Sequence, residues 1–156
     1  MIRTMAKSDL IKVHAINQEN VPAVGDESFE SFTTLFEISD LSLVVECSGE
    51  VVGFCITLLK GRAYQSPNYL YFCERYSDLL YLDRVAFTAD AQGQGLGSEL
   101  YKELEKRTSA QWIGLEVNLK PLNEGSLRFH ERLGFIEVAQ EETRPSKPVS
   151  LQVKKL

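Results

Sequence analysis

Apolar and polar positions along the chain fall into two periods, and these set out the elements. Residues 2–6 read as a short first strand. Leu10, Ile11, Val13, His14 and Ile16 recur at helical spacing. A helix is therefore expected from about Asp9 to Asn20, with Ser8 as its N-cap. Pro22 and Gly25 interrupt the chain, and Phe29, Phe32, Leu35 and Phe36 predict a second helix from Ser28 to about Ile38. Two apolar runs, Leu41 to Cys47 and Val51 to Leu59, meet at Ser48-Gly49, which predicts a hairpin. Gly53 in the second run marks a candidate bulge.

Residues 60–78 break the pattern. They gather Tyr64, Tyr69, Tyr71, Phe72 and Tyr76 around Pro67. Such a stretch is either a binding feature or a loop packed by its own rings, with room for a short helix. Next, Tyr81, Asp83, Val85 and Phe87 alternate with Leu82, Arg84, Ala86 and Thr88, as in a strand with both faces partly covered. A helix follows from about Gly95 to Thr108, buried along Leu96, Leu100 and Leu104. Trp112 to Asn118 reads as a strand. Asn123 then caps a short helix that closes at Gly134, with Phe135 as the apolar contact beyond it. Strands from Phe135 to Glu141 and from Val149 to Lys155 flank a turn bracketed by Pro145 and Pro148. Interleaved helices and dominant strands place the chain in the α/β or α+β class with a mixed sheet.

Composition narrows what such a chain does. Its 156 residues suit one domain, and an apolar content of 44% can fill a core. A net charge of −5 argues against a nucleic-acid partner and against an anionic membrane surface. It is compatible with a cationic partner such as a protonated amine. No apolar run approaches a membrane span, and the first residues lack an apolar signal region, so a cytoplasmic setting is expected. Cys47, Cys55 and Cys73 are odd in number and fit no metal spacing. In a hairpin closed at Ser48-Gly49, Cys47 faces Glu50 and Cys55 faces Ser42, so the two thiols are not cross-strand partners.

Candidate chemistry centres on Gln92-Gly93-Gln94-Gly95-Leu96-Gly97, which joins the central strand to its helix. A strand, a glycine turn and a helix start together aim backbone N–H groups at an anion. The dinucleotide pattern G-x-G-x-x-G/A fails, because its last position is Ser98. The pattern G-x-x-x-x-G-K-[ST] fails for want of a lysine. The pattern [QR]-x-x-G-x-[GA] is met by Gln92, Gly95 and Gly97. This resembles the pyrophosphate-binding motif of the GCN5-related N-acetyltransferases, which bind acetyl-coenzyme A. Residues 115–135, LEVNLKPLNEGSLRFHERLGF, resemble the same family's C-terminal block. The resemblance is good over about Leu80 to Val138, and the earlier half matches only in element order.

The resemblance implies a mixed, mostly antiparallel central sheet of six to seven strands flanked by about four helices, in a single acyl-CoA N-acyltransferase domain. It implies acetyl-CoA as cofactor and a small-molecule or peptide amine as acceptor. A homodimer is an assembly frequent in the family. The strand Val85, Ala86 and Phe87 would lie along the cofactor, Val85 and Phe87 offering main-chain groups to the pantetheine arm and the acetyl carbonyl. The amides from Gln92 to Ser98 would hold the pyrophosphate. Asn123 would contact the pantetheine, with Ser126 nearby, and Phe129 opens the aromatic pair. Much of the family has a tyrosine acid at the second place of that pair, where this chain has His130. A histidine donates a proton when charged, near its reference pKa of ~6.5. The change also leaves room for a catalytically silent acyl-CoA sensor.

Attack needs the neutral form of an amine, so some base must remove a proton. Glu116 and Asp83 are the candidates. Asp83 shares a strand face with Val85 and Phe87, and some family members use a carboxylate where Glu116 stands. The Val85 N–H is the candidate oxyanion donor. No activated serine or cysteine falls in the matched blocks, so direct attack is expected over a covalent route.

Overall fold

The computed structural model describes all 156 residues. Seven strands form one sheet: β1 (Ile2–Thr4), β2 (Asp40–Cys47), β3 (Glu50–Leu59), β4 (Leu79–Phe87), β5 (Trp112–Asn118), β6 (Ile136–Arg144) and β7 (Lys147–Lys155). Their order is β1-β2-β3-β4-β5-β7-β6. The β4–β5 pair is parallel, while β1–β2, β2–β3, β5–β7 and β6–β7 are antiparallel. The helices are α1 (Leu10–Glu19), α2 (Phe29–Ile38), α3 (Pro67–Arg75), α4 (Leu96–Arg107) and α5 (Glu124–Arg132). There are five because the aromatic stretch supplies α3, with Pro67 at its first turn, where a missing N–H costs nothing.

Two compact units divide the chain: Met1–Leu58 with Leu82–Thr108, and Leu59–Tyr81 with Ser109–Leu156. In the first, Val13, Ile16, Phe32, Leu43, Phe54, Leu100 and Leu104 are fully buried. Each such side chain contributes about 1.5–3 kcal/mol of burial. The hairpin turns through Ser48 and Gly49 with φ of 52° and 77°, the two positive values that a tight primed turn requires. Val45 lies opposite Gly53 but Glu46 lies opposite Val51, so Val52 is an extra residue. This bulge moves the partner of Cys55 from the expected Ser42 to Leu43. Cys55 is buried and Cys47 exposed, and both are free thiols. Burial pushes the Cys55 thiol up to about 12, against a smaller effect of the Leu43 backbone, so it is inert.

Gly53 answers a packing demand in the same unit. A Cβ there would stand 2.2 Å from Cδ1 of Phe87. At the other end of the unit, Ser8 does not cap α1. The Asp9 carboxylate accepts from the Ala6 N–H at 2.7 Å and binds Arg3 at 2.7 and 2.8 Å. Its pKa is held down chiefly by the hydrogen bond from Arg3. Ser28 does cap α2, accepting from the Ser31 N–H at 3.0 Å.

The second unit is built on aromatic rings. Tyr69 and Phe72 of α3 and Tyr81 of β4 are buried, with Tyr69–Tyr81 and Phe72–Tyr81 centroids 5.5 and 5.9 Å apart. Tyr69 also meets Tyr64 at 5.5 Å, and Phe72 meets Tyr76 at 6.2 Å. The stretch is therefore packed by its own rings. Gly114 lets it close: a Cβ there would be 3.0 Å from both Phe72 and Leu79. The parallel ladder joins only Leu79–Tyr81 to Trp112–Gly114. From Leu82 onward, no residue of β4 pairs with β5.

Candidate active site

The glycine turn supplies a row of donors. A 3-10 turn, Ala89–Ala91, leads from β4 to Gln92, and α4 starts after Gly95. Gly93 and Gly95 take φ of 73° and 78°, a region that costs an L-residue about 1–2 kcal/mol. Nothing lies within 4 Å of where a Cβ would stand on either. The Gln92 N–H bonds to Ala89, but no backbone amide from Gly93 to Ser98 donates to another backbone carbonyl. No side chain caps α4. Six consecutive amides at the positive end of a helix thus have no backbone acceptor. The side chains of Gln92 and Gln94 fold back onto the Phe87 and Asp90 carbonyls at 3.3 and 2.6 Å, clear of the amides.

Upstream on β4, the Phe87 carbonyl also accepts from Asn20 at 3.0 Å. That carbonyl is therefore already engaged. Arg84 is buried and sits at the centre of a polar cluster. Its Nε donates to Asp83 at 2.7 Å, its Nη1 to Asn17 at 3.1 Å and to the Gly25 carbonyl at 3.3 Å, and its Nη2 to Glu27 at 3.1 Å. His14 Nε2 bonds the Glu27 carbonyl at 2.7 Å, so His14 is a packed helix residue that secures the segment after α1. The Asp83 side chain is 4% exposed and paired with a buried guanidinium. That pair already occupies the carboxylate.

In the second unit, Glu116 is half-buried on β5, and one of its oxygens accepts from the Tyr81 hydroxyl at 2.6 Å. The Asn123 side-chain oxygen Oδ1 caps α5 by accepting the Ser126 N–H at 3.1 Å. His130 is 6% exposed. Its Nδ1 lies 2.7 Å from the Ser126 carbonyl, an acceptor only, so Nδ1 carries the hydrogen. Burial pushes its pKa down, and the bond to Ser126 opposes this without cancelling it. At neutral pH the ring is neutral, with Nε2 as an acceptor. Phe129 and Phe135 meet the ring edge-on at 5.2 and 5.5 Å.

Residues 11–135 match the acetyltransferase (GNAT) family profile. The chain belongs to this family. A search of curated proteins gives no match. Among solved structures, the chain is similar to the ribosomal-protein-S18-alanine N-acetyltransferase of Escherichia coli: 22% identity, 99% of this chain, 92% of that one, TM-score 0.76. It is also similar to the ribosomal-protein-alanine N-acetyltransferase of Brucella melitensis: 24% identity, 100% and 99% coverage, TM-score 0.71. A third similar structure is YncA of Salmonella typhimurium, described as an acetyltransferase and solved with its cofactor acetyl-CoA: 20% identity, 100% and 93% coverage, TM-score 0.72.

Acetyl-CoA is the cofactor of GNAT acetyltransferases, and the turn from Gly93 to Ser98 has the form a diphosphate needs: amides without backbone partners, and no side chain on either strained glycine. No helix is long and apolar enough to cross a membrane. Two side chains that no motif singles out make these contacts: Tyr81 on Glu116, and Arg84 between Asp83, Asn17 and Glu27. Glu116, Asn17 and Glu27 lie 35, 67 and 57 residues from the side chains they meet, so only the folded chain brings these pairs together.

Proposed function

We propose that this GNAT chain is one catalytic domain that transfers an acetyl group from acetyl-CoA to a primary amine by direct attack. The observation that carries the reading is the row of unpaired amides at the start of α4. Bound acetyl-CoA would supply a reactive acetyl carbonyl and a thiolate leaving group. The amides from Gly93 to Ser98 would hold its diphosphate, and Val85 would donate its N–H where charge develops on the carbonyl oxygen. The Asn123 amide group and Ser126 would serve the pantetheine arm, within what the cap on α5 leaves available. Glu116 takes the proton that the amine sheds as the N–C bond forms and the C–S bond breaks. It is preferred to Asp83 because Asp83 is held by Arg84. A neutral His130 accepts protons more readily than it gives them, so at neutral pH the thiolate leaves without an imidazolium acid.

Acceptor choice can be ordered by chemistry. A peptide α-amine, pKa about 7.7–8.0, is roughly one-tenth neutral at pH 7, while a lysine-like amine at ~10.4 is under a thousandth neutral. A lone carboxylate base suits the first. Two structural relatives are named for acetylating a ribosomal-protein alanine, so peptides with a free N-terminal alanine head the panel. The test is a thermal shift with acetyl-CoA, ATP and NAD, then free-thiol release over small amines, lysine peptides and N-terminal peptides. Acetyl-CoA alone should stabilise the chain, and an α-amine should release thiol. Indifference to every coenzyme A species would sink the reading. Stabilisation without thiol release from any amine would favour the silent sensor.

A further inference from the structure

We propose that Tyr81 is a positioning residue: its buried hydroxyl donates to Glu116 and holds that carboxylate ionised and oriented. This rests on the reading of Glu116 as the base. The Tyr81 side chain has 0% exposure, yet its hydroxyl ends 2.6 Å from Oε1 of Glu116. Register explains the reach. Tyr81 stands opposite Gly114 in the parallel ladder, and Glu116 is two residues further along β5, on the same face as Gly114. Gly114 has no side chain to compete with the phenol.

The ring has little freedom to leave. Tyr69 packs on it at 5.5 Å and Phe72 at 5.9 Å. Tyr69 is itself pinned, its hydroxyl donating to the Leu59 carbonyl at 2.5 Å and accepting from the Arg62 N–H at 3.0 Å. The aromatic stretch around α3 thus acts as a clamp whose polar output is one hydroxyl. A carboxylate that accepts a short bond from a neutral phenol is favoured in its charged form. That is the form a base must have before the amine arrives.

Tyr81→Phe keeps the ring and removes the donor. Its kcat/KM at neutral pH should fall about tenfold, the value of one hydrogen bond to a charged group. The acid limb of its kcat/KM profile should move to higher pH, with acetyl-CoA affinity unchanged. The folded fraction is read by circular dichroism at each pH and divided out, so acid unfolding of a less stable variant does not imitate the effect. Glu116→Gln should lower kcat/KM by roughly a hundredfold or more. If Tyr81→Phe leaves the limb in place while Glu116→Gln removes activity, the role given to Tyr81 is overturned and Glu116 stands. If Glu116→Gln keeps the wild-type rate, the base assignment falls, and this inference with it.

Discussion

His130 shows how one side chain can carry a family's position without the family's chemistry. Its Nδ1–H is spent on the Ser126 carbonyl, and the ring is buried between Phe129 and Phe135. In the unfolded chain a histidine titrates near ~6.5. Folding lowers that value, chiefly by desolvation. Between the lowered value and ~6.5, the unfolded chain binds a proton that the folded one refuses. The stability owed to the neutral ring is therefore whole above ~6.5 and is lost as pH falls through the folded pKa. Urea unfolding of the wild type and of His130→Gln should differ by a constant free energy above pH 6.5, and the difference should shrink on acidification. His14 is common to both chains and cancels. Parallel stability curves down to the acid limit would show that folding does not depress this histidine.

At the scale of elements, the glycine turn separates stability from binding. Gly95→Ala forces an L-residue to φ 78°, but its Cβ meets nothing within 4 Å. The cost to folding should stay near ~1 kcal/mol, read from the urea midpoint. The cost to acetyl-CoA should be larger, because the methyl group is added to the turn whose amides are proposed to approach a diphosphate. A dissociation constant raised about tenfold or more, ~1.4 kcal/mol, is the expected result of a calorimetric titration. An unchanged constant beside a normal loss of stability would mean that the diphosphate sits elsewhere. This turn was legible in the sequence because glycine spacing and a strand–helix junction are local. So were β5, the cap at Asn123 and the Gly134 stop. The bulge at Val52 was not, since an extra residue in a ladder depends on the ring of Phe87 lying over Gly53. Helix α3 was legible only as an option, because rings dominate its sequence and its direction is set by Tyr69 and Phe72 burying toward Tyr81.

Over the whole molecule, what the sequence could not display is pairing across long separations, and charge is where that matters most. Residues 13–59 hold eight of the 22 carboxylates and none of the 17 lysines and arginines, so the remainder of the chain carries three more cations than carboxylates. Two cations enter this segment from outside: Arg3, which binds Glu46 and Asp9, and Arg84, which is divided between Glu27 and Asp83. Glu19, Asp26, Glu30 and Glu37 remain exposed. A modest total of −5 thus hides a strongly acidic stretch that includes α2. Such a field raises the local concentration of cationic acceptors and the rate at which they arrive. It is screened within about 8 Å at physiological salt. For a peptide acceptor bearing lysine or arginine beyond its reactive amine, kcat/KM should fall several-fold as NaCl rises from about 20 to about 500 mM, mostly through KM. An acceptor whose remote end is uncharged should change little over the same range. Equal salt sensitivity for both would assign the effect to the charged cofactor instead, and would remove any electrostatic role for residues 13–59 in choosing the amine.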